Sequence, residues 1–173
     1  IDQFPCVIFT SRNAIEHYFR VSEEMRIKIS ESTKYFCISE AIALYLQKFI
    51  QYRKRKVFYG DGKIPKLIEI LSKHKDKTDG KFLLPCSDVR DQGLIDILAK
   101  ANFDFSEATM FKTVTSDLSD LRDIKYDILV FFSPTGIVSL FKNFPDFVQN
   151  DTRIAVFGNT TAEAARENNL VID

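Results

Sequence analysis

Two similar α/β units, each a parallel sheet with helices on both faces, are what this sequence of 173 residues predicts. Three observations carry that reading. Short apolar runs alternate with longer segments of helical period. Several of the runs are apolar at consecutive positions, so both faces of the sheet they form must be covered. One phrase is also written twice: VIFTSRNAIEHYF from Val7 and LVFFSPTGIVSLF from Leu129 align without a gap, pairing Phe9 with Phe131, Ser11 with Ser133, Ile15 with Ile137 and Phe19 with Phe141. A second block repeats as well, TKYFCISEAIA from Thr33 against TRIAVFGNTTA from Thr152, which sets Ser39 against Gly158 and Ala43 against Ala162. Duplication of one strand, loop and helix scheme accounts for both.

In chain order the expected strands are CVIF (6–9), YFCI (35–38), KVFY (56–59), KFLL (81–84), ATMF (108–111), DILVFF (127–132) and IAVF (154–157). Between and after them NAIEHYFRV (13–21), EAIALYLQKFIQY (40–52), IPKLIEILSKH (64–74), GLIDILAKA (93–101), GIVSLFKNF (136–144) and TAEAARENN (161–169) place apolar or small residues at helical spacing. The stretch KTVTSDLSDLRDIKYD (112–127) breaks the rhythm with Thr, Ser and Asp and reads as the inter-domain connection, with a boundary near residue 114.

Composition narrows the function. Lys plus Arg number 24 and Asp plus Glu number 24, so no general field draws the chain to nucleic acid or membrane, and an anion must be bound locally. The three cysteines, Cys6, Cys37 and Cys86, have no CxxC spacing and read as reduced, buried thiols of a cytoplasmic protein. No apolar run has the length of a membrane span, and IDQFPC is no signal peptide.

Ligands of an open parallel sheet bind beyond the carboxyl ends of its strands. Reading outward from those ends gives Ser11 with Arg12 and Asn13, Ser39, Gly60 with Gly62, Ser87 with Asp88, Ser133 with Gly136, and Gly158 with Asn159, Thr160 and Thr161. These are preferred N-cap types, and capping alone explains any single one. Taken as a set, helix starts that offer free amides and hydroxyls could hold many carboxylates without a large positive charge. Arg90 follows the strand end LLPCSD and either projects into a cleft or pairs with Asp88 or Asp91. GDGK (60–63) is too short for a phosphate loop and reads as a turn; RKRK (53–56) reads as the solvated end of the preceding helix. His17 and His74 stand apart from any ligand spacing, so no metal is expected.

VIFTSRNAI, KFLLPCSDVR followed by TMFKTV, DILVFFSPTGI and IAVFGNTTAEAA, in this order, resemble uroporphyrinogen-III synthase, in the form found in Bacteroidetes, over nearly the whole chain. The resemblance implies a HemD-like duplication of flavodoxin-like domains with the active site in the cleft between them. Residues 1–111 would be the inserted domain, 112–126 a linker strand and connection, and 127–173 the C-terminal half of the other domain, whose opening strand and helix are absent from the sequence. It implies cyclisation of hydroxymethylbilane to uroporphyrinogen III with inversion of ring D, by a monomer without cofactor. In that chemistry ring A loses its hydroxyl to give an azafulvene, ring D attacks through its substituted carbon, and the spiro intermediate fragments and recloses.

By the same resemblance Ser11 and Ser133 match serines that hydrogen-bond substrate, Thr160 and Thr161 match paired threonines after Gly158, and Arg90 matches a basic position. Departures are also visible. Phe111 stands where the family usually has Tyr, a proposed proton donor to the departing hydroxyl; Ser39 stands for a common Gly and Ile42 for a common Thr. A non-catalytic relative that keeps a binding cleft is the alternative expectation.

Overall fold

The computed structural model of the chain describes residues 1–51, 53–75 and 81–173. It divides into two compact units, Ile1–Thr113 and Val114–Asp173.

In the first unit the strands are β1 (Cys6–Phe9), β2 (Lys34–Cys37), β3 (Val57–Tyr59), β4 (Lys81–Ser87) and β5 (Asp104–Phe111), and the helices are α1 (Arg12–Glu24), α2 (Glu40–Leu46), α3 (Ile64–Ser72) and α4 (Gln92–Lys100). All strand pairs are parallel, in the order β3-β2-β1-β4-β5. Strand residues alternate between two cores, as a period of two requires. Val7, Phe9, Tyr35, Cys37 and Leu83 meet Ile15 and Tyr18 of α1 and Leu46 of α2. Cys6, Ile8, Phe36, Phe82 and Leu84 meet Leu67 and Leu71 of α3 and Leu94 and Leu98 of α4. Two-sided cover is why β1 can be apolar at every position, and truncating one of these leucines to Ala would cost about 2–5 kcal/mol.

The second unit holds β6 (Ile128–Phe131), α5 (Pro134–Asn143), β7 (Arg153–Val156) and α6 (Asn159–Glu167), with β6 and β7 parallel. Its core is Phe131, Ile137, Leu140, Ile154, Ala165 and Leu170. The other side of β6 is open, with Ile128 and Val130 about half exposed. Ahead of β6, the Leu118 amide donates to Asn143 Oδ1 at 3.0 Å. After α6, the amides of Ile154 and Asp173 each donate to the other residue, which lays the last described residues beside β7.

The duplicated phrase is one folded device in both units. Ser11 and Ser133 are the N-caps of α1 and α5, both in extended backbone, and Ser39 and Gly158 are the N-caps of α2 and α6.

Three elements depart from the sequence reading for physical reasons. β4 runs on to Ser87 through Pro85, because its pairing with β1 ends at Leu83 and no amide is needed there on that side. β5 starts at Asp104, where polar residues alternate along an edge strand that is only half covered. α2 stops at Leu46, not at 52: the next three amides turn back to Leu44, Tyr45 and Leu46, and Phe49 then stacks on Phe19. Tyr52, the last residue of that expected helix, lies outside the described residues. RKRK (53–56) therefore does not end a helix.

Candidate functional site

Strand order in the first unit reverses direction between β1 and β4, so connections leave these neighbours to opposite sides and open a crevice at their carboxyl ends. A cavity of about 210 Å³ occupies it, lined among others by Thr10, Ser11, Cys86, Ser87, Arg90 and Phe111. Ser11, Arg90 and Phe111, widely separated in sequence, meet here because β1, β4 and β5 end side by side. Ser39 and Gly62 do not line it.

The lining residues have definite engagements. Ser11 Oγ accepts the Ala14 amide at 3.1 Å, which caps α1 and leaves the hydroxyl proton free to be donated outward. Arg90 is paired with neither expected aspartate. Asp88 Oδ1 accepts the amides of Val89 and Thr113, and Asp91 Oδ1 caps α4 through Leu94. The partner of Arg90 is Glu107, with Nε 3.5 Å from an Oε2 that is buried and accepts no hydrogen bond among the described residues. Burial, and then the charge of Glu107, push the Cys86 thiol up, so it stays protonated. Phe111 stacks face to face on His17, with ring centres 4.6 Å apart, and His17 Nδ1 accepts from the Arg20 guanidinium.

Around this crevice Arg12 lies over the ring of Tyr45 at 5.3 Å and Asn13 is exposed. Ser39 leaves α2 without a side-chain cap. The amide of Gly62 is spent on Ile38 O, and its φ of +95° serves the turn, so it has no donor left to offer.

In the second unit Ser133 holds the N-cap position of α5 but its side chain accepts no helix amide; its hydroxyl is hydrogen-bonded to Thr135 Oγ1 at 2.8 Å. Gly136 is held close to Phe131, since a Cβ there would lie 3.3 Å from the ring, and its amide donates to Ser133 O. Gly158 adopts φ +83° and brings no side chain to the start of α6. The amides of Asn159, Thr160 and Thr161 therefore have no acceptor from their own cap. Asn159 and Thr160 are exposed, whereas Thr161 is 1% exposed, so the expected role of Thr161 as a ligand-holding group is corrected: it packs inside the unit, and only Asn159 and Thr160 are open to a ligand.

Sequence reasoning missed three features. Glu107 was signalled only by a carboxylate on a half-covered strand. His17 was read as isolated, although it stacks on Phe111 across the fold. Phe132 and Phe157, both exposed, stack at 4.8 Å just past the ends of β6 and β7 and form a flat apolar surface beside Ser133 and Gly158.

A doubly wound sheet with a crevice at its strand ends, and a second unit that repeats the same strand, cap and helix scheme, define a duplicated α/β protein. The chain belongs to the uroporphyrinogen-III synthase family: the family model described as Uroporphyrinogen-III synthase HemD matches residues 1–173. It is accordingly an enzyme of heme biosynthesis, a lyase-type cyclase. Among the solved structures that share its fold are two synthases. One is uroporphyrinogen-III synthetase from Helicobacter pylori, 21% identical, with a TM-score of 0.66 over 98% of this chain and 75% of that one. The other is a mutant uroporphyrinogen III synthase from the extremely thermophilic bacterium Thermus thermophilus, 14% identical, with a TM-score of 0.57 over 98% of this chain and 70% of that one. No curated protein matches. No helix among the described residues is long and apolar enough to cross a membrane.

Proposed function

We propose that the strand ends of this chain hold the carboxylates of hydroxymethylbilane while ring A loses its hydroxyl and ring D closes with inversion to give uroporphyrinogen III. The supporting observation is the crevice between β1 and β4, which gathers Ser11, Arg90 and Phe111. Ser11 donates its hydroxyl proton and Arg90, steadied by Glu107, supplies a forked charge for one carboxylate. The amides of Asn159 and Thr160 serve another carboxylate, and the Phe132–Phe157 pair takes the face of a pyrrole. These groups shape a flexible chain so that the substituted carbon attacks first; orientation accounts for most of the rate. Phe111 has no proton to give, so water or another hydroxyl assists departure of the ring A hydroxyl.

The enzyme works as a cytoplasmic monomer and engages no nucleic acid, a reading supported by its zero net charge and its protonated thiols. Phe111 in place of a phenol favours a second reading, a relative that binds the bilane without closing it.

Chromatography of the products separates the two. The bilane closes by itself to the I isomer, so III isomer above background establishes catalysis and I isomer alone establishes the second reading. With catalysis present, Arg90→Ala is expected to lower kcat/KM by about tenfold or more, as loss of one charged hydrogen bond would. An unchanged value would remove Arg90 from the site.

A further inference from the structure

A second hollow of the first unit lies at the opposite end of the sheet from the crevice. A solvent-open cavity of about 650 Å³ is walled by the C-terminal half of α1, the loop 27–33, the start of β2 and the segment after α2. One part of its wall is apolar, with Phe19 and Phe49 stacked in parallel at 5.0 Å beside Ile27, Ile29 and Ile50, and the remainder is polar. Cations outnumber anions among its lining residues: Lys48, Arg53 and Lys56 against Glu23 and Glu31. The ion pair from Arg53 to Glu31 is loose, at 4.0 Å, and that glutamate is 89% exposed. Two of the cations belong to RKRK (53–56), the run the helix-end reading left without a role.

A second, independent observation comes from Tyr35. It lines this cavity, is 4% exposed, and its hydroxyl has no hydrogen-bond partner among the described residues. Among the described residues only Glu107 Oε2 is a fully buried side-chain oxygen or nitrogen without a partner, so the Tyr35 hydroxyl, although its ring is buried, reaches the open cavity and can donate there. The carbonyl end of α1 does not oppose an anion here, because the amides of Met25 and Ile27 close it on Val21 and Ser22.

We propose that this cavity is a binding site for a flat aromatic carboxylate, separate from the crevice at the strand ends. The apolar body lies along the Phe19–Phe49 stack, the carboxylate meets Lys56 and Arg53, and the Tyr35 hydroxyl donates from the floor. The size suits such a ligand, since small-molecule sites commonly span about 300–1,000 Å³. Burial pushes the Tyr35 phenol up to about 12, so it remains a donor throughout the neutral range.

The test titrates the full chain with fluorescent anthracene carboxylate and, in parallel, with the carboxamide of the same ring system. Saturable one-to-one binding of the carboxylate is expected, with the carboxamide weaker by about tenfold, the worth of one charged contact. Lys56→Glu and the exposed Arg53→Glu are each expected to weaken the carboxylate by about tenfold, and Tyr35→Phe by about threefold, with far-ultraviolet circular dichroism unchanged. Equal binding of carboxylate and carboxamide, or wild-type affinity in both charge reversals, would overturn the proposal. The second outcome would move the probe to the apolar cavity of the other unit, around Leu121, Tyr126 and Phe147.

Discussion

Phe111 is the residue where departure from the family pattern and local geometry meet. Its ring lines the strand-end crevice and stacks on the imidazole of His17, so a hydroxyl added to it would place a proton donor beside that crevice. Phe111→Tyr should leave the rate of III-isomer formation equal or higher, measured by initial rates on freshly prepared bilane. A large loss would mean that the crevice is used differently. Much of this neighbourhood was legible in sequence: Ser11, Arg90 and Phe111 could be named from strand ends and resemblance. The partner of Arg90 was not. Asp88 and Asp91 are near in sequence, but local backbone amides already occupy them, and Glu107 reaches Arg90 only because β4 and β5 pair in register, Leu84 with Glu107.

At the scale of elements, two serines that match in the repeat do different work. Ser11 caps α1 through its side chain, whereas Ser133 turns its hydroxyl to Thr135 and leaves α5 uncapped. Ser11→Ala should therefore cost about 0.5–2 kcal/mol in chemical denaturation, and Ser133→Ala less than about 0.5 kcal/mol. Equal losses would show that the two caps are equivalent after all. Element boundaries were legible where one rule acted alone. β1 is apolar throughout and bounded by Pro5 and Thr10, so its reading and its structure agree at 6–9. Where two rules competed the reading failed: the expected β4 ended at residue 84 although the strand continues through Pro85, and the apolar period through Phe49 looked like more of α2, when Phe49 instead packs on Phe19.

For the whole molecule, stability should be sensitive to alkali. Burial pushes the Cys37 thiol and the Tyr35 phenol up to about 12, and Tyr18 is raised further by burial together with Tyr35. In the unfolded chain such groups ionise near ~8.5 and ~10. Their contribution is thus complete below about pH 8.5 and is lost as pH rises toward 12, because only the unfolded state releases protons in that window. Thermal melts followed by near-ultraviolet circular dichroism should show a flat Tm from pH 7 to 8.5 and a falling one through pH 11. A Tm that holds at pH 11 would contradict the burial of these rings.

The hollow beside Arg90 exists because of the route the backbone takes, with β1 handing on in one direction and β4 in the other. No individual side chain creates it. Its lining can therefore be exchanged piece by piece, as Phe for Tyr, while the recess itself persists. Changing which strand follows which, as circular permutation leaves undone and strand deletion does not, is what it would take to erase it.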